Sequence, residues 1–143
     1  MIEHIPYKPE HAKEIISFGA TGYCGEYTDD QIEALANVKL NGKAYTCVYN
    51  GRIVSCGGYE LMWPGVAQAW FLCVNDINSM LIKESKRLFL EITKGLNRVQ
   101  APLRSDFEIG ERFAKYMGFK QESVMKRYNP DGTDALMYVL EIE

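Results

Sequence analysis

The sequence predicts one α/β domain built on a mixed sheet, and three observations carry that prediction. Asn50-Gly51 sits between two strand-like runs, and Asn-Gly supplies the positive φ angles of the tight turn in an antiparallel hairpin. The almost wholly apolar run Ala67–Val74 is followed by a long amphipathic segment and then a short strand-like run. That is the order of a right-handed strand-helix-strand crossover between parallel neighbours. Near the C-terminus a helical segment closes on Gly118 and leads into a final hairpin. A chain of 143 residues buries roughly two-thirds of its unfolded surface around one core, and no linker, repeat or low-complexity tract divides it, so a single domain over 1–143 is expected.

Taken in order, Ile2–Tyr7 reads as a strand, and a helix opens after Lys8 with Pro9 where no amide donor is needed. It runs through His11 to Phe18. Gly19–Tyr27 reads as a glycine-rich loop. Thr28-Asp29-Asp30-Gln31 has the spacing of a capping box and starts a second helix that ends near Asn41-Gly42. The hairpin strands span about 44–49 and 52–59, and the apolar run that follows suits a central strand covered on both faces. The long helix extends from about Ser79 to Leu96, with Leu81, Ser85, Leu88, Phe89, Ile92 and Leu96 on one face, and is expected to bury Leu88, Phe89 and Ile92. Arg98–Leu103 is the next strand, Glu108–Met117 a helix, and Ser123–Tyr128 a strand. After the turn Asn129-Pro130-Asp131-Gly132, residues Leu136, Tyr138, Leu140 and Ile142 alternate along the last strand.

Composition excludes several classes of function. Hydrophobic residues make up 47% and charged residues 24%, as in an ordinary globular protein. A net charge of −3 with scattered basic residues repels a phosphate backbone, so no nucleic-acid partner is expected. No segment approaches the ~20 apolar residues that span a bilayer, and the N-terminus lacks a secretory leader, so no membrane association and a cytoplasmic location are expected. Cys24, Cys47, Cys56 and Cys73 form no C-x-x-C pair, and His4 and His11 both lie near the N-terminus, which argues against disulfide and metal sites. Three of the cysteines fall in strand-like segments and read as small core residues.

The element order, β-α-α-β-β-β-α-β-α-β-β, resembles the GNAT (acyl-CoA N-acyltransferase) superfamily over nearly the whole chain. The most specific local match is Phe113-Ala114-Lys115-Tyr116-Met117-Gly118-Phe119, which is similar to the family's penultimate helix ending in Gly-Phe. Lys126–Gly132 through Met137-Tyr138 is also similar to the tail of small GNAT-like proteins that bacteriophages encode, which would place the protein in a host cytoplasm or a virion. The resemblance implies acetyl-CoA as co-substrate, an amine of unidentified structure as acceptor, and N-acetyl transfer as the activity. A homodimer is admitted as the assembly. A non-catalytic binding or accessory protein on the same fold is the alternative, because fold alone does not fix function.

On that resemblance, acyl-CoA lies against Ala67–Val74 and the helix from Ser79. A helix N-terminus presents unpaired amides and partial positive charge to a pyrophosphate, which assigns phosphate donors to Met80, Leu81 and Ile82 after a cap at Asn78 or Ser79. Leu72, Cys73 and Val74 are placed beside the pantetheine arm, along the edge exposed where the two parallel strands splay apart. Arg104, and less directly Lys83, Lys86 and Arg87, are candidates for pairing with phosphate. Amine acylation needs a base and a donor for the departing thiolate. Glu60 and Asp106 are the candidate bases, Tyr128 and Cys73 the candidate donors, and Trp63 and Trp70 candidate cleft residues. Two departures stand out. The family's phosphate loop carries glycines, whereas Val74-Asn75-Asp76-Ile77-Asn78-Ser79-Met80-Leu81 has none, which implies a different cradle. The family's proton-donating Tyr falls on Ala114, and Tyr116 lies roughly 200° around the helix from it.

Overall fold

A computed structural model of the chain describes residues 1–22 and 41–141. The helix expected from Thr28, and Cys24, lie outside the described residues. Strand β1 (Ile2–Pro6) leads into α1 (Pro9–Ser17), β2 (Ala20–Gly22), and the hairpin of β3 (Ala44–Tyr49) and β4 (Arg52–Trp63). Then come β5 (Val66–Val74), α2 (Ser79–Ile92), β6 (Arg98–Arg104), α3 (Glu108–Met117), β7 (Phe119–Met125) and β8 (Ala135–Leu140). The strands form one sheet in the order β1-β3-β4-β5-β6-β8-β7, with β2 paired to β5 beside that path.

The local signals explain most of these elements. Asn50 and Gly51 both adopt positive φ, 50° and 81°, which closes the β3–β4 hairpin as expected. Gly118 ends α3 in the left-handed conformation at φ 103°. Helix α1 starts at Pro9, and His11 reaches back so that its Nδ1 accepts the Lys8 amide at 3.1 Å. The same nitrogen lies 2.7 Å from the buried Thr46 hydroxyl on β3, which ties the helix to the sheet.

Strand β5 is covered on both faces. Alternation sends Trp70, Leu72 and Val74 toward α1, where they join Tyr7, Ala12 and Ile15 in one core cluster; the Tyr7 and Trp70 rings meet edge-on at 4.9 Å. Ala69, Phe71 and Cys73 face the other way, toward α2 and α3. Phe71 stacks on Phe113 with centroids 4.6 Å apart. A second core cluster gathers β6, β7, β8 and α3 around Val99, Leu103, Met117, Phe119 and Tyr138. Cys47, Cys56 and Cys73 are all buried free thiols, in keeping with their reading as core residues.

Four expectations change. Residues Gly19–Tyr27 are not wholly loop, since Ala20–Gly22 pairs with β5. Strand β7 begins at Phe119, four residues before the expected start, because its polar side chains lie on an exposed edge and show no apolar pattern. Helix α2 ends at Ile92, where the Thr93 hydroxyl bonds back to the Phe89 carbonyl at 2.9 Å. Of Leu88, Phe89 and Ile92 only Phe89 is buried; the other two keep part of their surface open to a cavity described below.

The two histidines make stability depend on pH. Burial, the largest cause, lowers the pKa of both His4 and His11 from the ordinary 6.5. His11 Nδ1 must also stay unprotonated to accept the Lys8 amide. A folded pKa below the unfolded one gives stability that is complete above about 6.5 and is lost as pH falls from there through the folded pKa. The urea midpoint should therefore fall between pH 7.5 and 5, above the range where ordinary carboxylates titrate. In His11→Ala the slope should flatten; an unchanged slope would clear His11 of this role.

Candidate functional site

Strands β5 and β6 are parallel, as the crossover requires, but they pair only at Val66–Arg98, Ala67–Val99 and Gln68–Gln100. Beyond Gln68 they part. On the side of β5 that β6 vacates, β2 runs antiparallel against Leu72, Cys73 and Val74. The edge between the two partners, at Ala69, Trp70 and Phe71, pairs with neither.

Above this opening, between the sheet and helices α2 and α3, lies a cavity of about 290 Å³. Its floor is made of small side chains, because Cys47, Ser55, Gly57, Ala69 and Cys73 all face the helices. His4, Cys47, Ser55 and Cys73 stand in one row across four strands by the register His4–Cys47, Cys47–Ser55 and Ser55–Cys73. Its roof includes Ile82, Ser85, Leu88 and Ile92 of α2, and α3 contributes Gly110, Phe113 and Ala114. Among the described residues, no Asp, Glu, Lys or Arg lines it.

Burial disfavours charge on the thiols and the imidazole that line it. Burial pushes the Cys73 thiol up to about 11, raises Cys47 against a weaker opposing hydrogen bond from Ser55, and lowers His4. His4 Nε2 is buried with no hydrogen-bond partner among the described residues. Sequence reasoning did not single out His4; its only signal was the alternation of β1, which places it on the same face as Ile2.

At the start of α2 the cap is Asn78, in an extended conformation. Its Oδ1 accepts the Leu81 amide at 3.0 Å and its carbonyl accepts the Ile82 amide at 3.3 Å. Leu81 and Ile82 are therefore not phosphate donors, since the helix uses both amides itself. Ser79 and Met80 occupy the first two helical positions, whose amides have no acceptor within a helix. Asp76 does not point inward: it is exposed and bonds Arg52 at 3.3 and 3.4 Å, which lowers its pKa.

The remaining sequence candidates are scattered. Arg104 is held by Asp106 at 3.1 Å and Asp131 at 2.9 Å, and these partners raise its pKa further. Its guanidinium is committed, and Arg104 in turn lowers the Asp106 pKa, which makes Asp106 a poor base. Arg87 bonds Glu84, and Lys86 sits 4.7 Å over the Tyr116 ring. Lys83 is exposed on α2. Glu60 lies on β4 opposite Gln68, on the face turned away from the cavity. Tyr128 is 54% exposed in the β7–β8 connection and Trp63 is exposed, so neither joins the cavity. Of the proposed site residues, Cys73 and Val74 line the cavity whereas Leu72 is buried on the α1 side, and β2 already occupies the edge assigned to pantetheine. Ala114 is buried and lines the cavity, whereas Tyr116 faces α2 from outside it.

No family model matches the sequence, and no curated protein does so significantly. Solved structures do match. An IAA acetyltransferase from Bacillus cereus shares 12% identity over 99% of this chain and 100% of its own, with a TM-score of 0.75. Ard1 from Thermoplasma volcanium shares 16% identity over 99% of both chains, with a TM-score of 0.73. A GNAT family acetyltransferase from Elizabethkingia anophelis with acetyl-CoA bound shares 14% identity over 99% of this chain and 98% of its own, also at a TM-score of 0.73. At such identities the likeness speaks to architecture alone, and the architecture of this chain is the mixed α/β fold of the GNAT acetyltransferases.

Proposed function

We propose that the protein is an acyl-CoA-dependent N-acyltransferase acting on an amine. The observation that carries this reading is the parting of β5 and β6 after three paired residues, which leaves the Ala69–Phe71 edge open beside an apolar cavity. Pantetheine is an extended, amide-bearing arm, and an unpaired strand edge offers it backbone donors and acceptors. Because β2 covers Leu72–Val74, the arm has the Ala69–Phe71 edge unless β2 gives way. The pyrophosphate then meets the free amides of Ser79 and Met80 at the positive end of α2.

In the reaction the amine nitrogen attacks the thioester carbonyl, the C–N bond forms, the C–S bond breaks, and the CoA thiolate takes up the proton that the amine releases. Cys73 lines the cavity beside the opening, but a group with a pKa near 11 gives a proton only uphill to a thiolate of ordinary pKa, about 8.5. Solvent then relays the proton from the amine to the thiolate. The chemical step is therefore expected to be slow.

Ser79→Pro tests the cofactor. Proline suits the first helical position, and the extended Asn78 before it already has the conformation that a following proline imposes (φ −88°, ψ 161°). The substitution deletes one proposed phosphate donor and should leave the fold intact. A hydrogen bond to a charged group is worth about 1.5–3 kcal/mol, so acetyl-CoA affinity should drop roughly ten- to a hundredfold in calorimetric titration. Equal affinities would remove the helix start from the site, and no binding by either protein would withdraw the cofactor.

A further inference from the structure

We infer that the cavity beneath α2 takes the acyl chain of a medium-chain acyl-CoA of about ten carbons, so that the group transferred is longer than acetyl. This rests on the reading of the protein as an acyl-CoA-dependent enzyme and names its donor substrate. An acetyl group has two carbons, far fewer than a cavity of about 290 Å³ accommodates. At the roughly 30 Å³ that each water occupies in the liquid, that volume holds about ten non-hydrogen atoms. The length agrees independently. From the opening at β5 to His4 on β1 the cavity crosses β4 and β3, three strand spacings of about 4.8 Å, or ~14 Å. An extended hydrocarbon advances about 1.25 Å per carbon, the projection of a 1.5 Å bond at a tetrahedral angle, which gives ~11 carbons.

The chemistry of the walls selects the same occupant. An ammonium acceptor buried here would find no carboxylate among the described residues, and an unpaired buried charge is strongly disfavoured. A phosphate or carboxylate would find no lysine or arginine among the described residues. Ile82, Leu88 and Ile92 point at the sheet yet stay partly exposed, because the small floor side chains Cys47, Ser55 and Gly57 do not reach them. A hydrocarbon chain covers that apolar surface, and every buried methylene is favourable. The carbonyl carbon stays at the Ala69–Phe71 edge, where the amine attacks it as described above; the chain takes no part in bond making.

Calorimetric titration of the full chain with CoA, acetyl-CoA and decanoyl-CoA, below the micellar concentration, tests the inference. Decanoyl-CoA is expected to bind at least tenfold more tightly than acetyl-CoA. Ser85→Phe, which projects a ring into the cavity from α2, should bring that ratio to within about twofold of one. Equal or weaker binding of decanoyl-CoA by the unaltered protein, with acetyl-CoA bound, overturns the inference and leaves the enzyme reading standing. A preference that survives in Ser85→Phe also overturns it, since the chain would then lie elsewhere. Binding of none of the three compounds overturns the enzyme reading and this inference with it. Should circular dichroism show Ser85→Phe unfolded, Ile82→Phe adds volume from the same helix face and is judged by the same ratio.

Discussion

Ala114→Tyr should raise turnover by roughly a hundredfold, within the range of about 10²–10⁴ that a positioned proton donor contributes. Ala114 is buried on α3 and lines the cavity, next in sequence to Phe113, which stacks on Phe71 of β5. A phenol built there enters open space near the Ala69–Phe71 edge, where the thiolate departs. Adding volume to a packed core ordinarily costs 1–3 kcal/mol, but here much of the ring goes into an existing cavity. The checks are the rate of free-thiol release from acyl-CoA in the presence of an amine panel, with the melting temperature measured alongside. No gain in a protein that still folds and binds CoA would favour a binding role or a different donor.

Leu72→Ala should cost about 2–5 kcal/mol, a large part of the stability of a domain of this size. Leu72 is wholly buried in the cluster with Ile15, Val54 and Trp70 and does not line the cavity beneath α2. Urea unfolding should show a lower midpoint with the slope preserved. A change under 1 kcal/mol would mean that the core around β5 is packed differently. The corresponding change at Leu88, which the helical pattern also assigns to the core, should cost less, because its side chain is only partly covered.

The contrast between these two leucines shows what the sequence could and could not disclose. Leu88 sits at the correct phase of a helical pattern, and Leu72 lies in an apolar run that predicts cover on both faces; such a pattern reports that a side chain turns inward. It does not report what lies opposite. The space under Leu88 arises because small residues on three separate strands, Cys47, Ser55 and Gly57 among them, line up in the folded register. Turns and caps written in adjacent residues were legible for the same reason: Asn50-Gly51 and Gly118 each need only their own backbone. Strand β2 was not, because three residues paired to a strand fifty positions away carry no local pattern. The same holds for Arg104, Asp106 and Asp131. Arg104 and Asp106 read as plausible site residues, and Asp131 as a turn residue, until the fold brings the three together as ion pairs.

The short ladder between β5 and β6 also bears on how the molecule breathes. Three parallel rungs join a half built on α1, β1, β3, β4 and β5 to one built on β6, β7, β8 and α3, and each half has its own core cluster. Widening the cleft strains that hinge together with the contacts that cross it, the Phe71–Phe113 stack and the packing of Ala69 and Phe89 in the second cluster. The halves can then behave as separate cooperative folding units. The damage from Leu72→Ala would fall on the first: native-state amide exchange in that variant should quicken around Cys56 while Tyr138, wholly buried in the second half, keeps most of its protection.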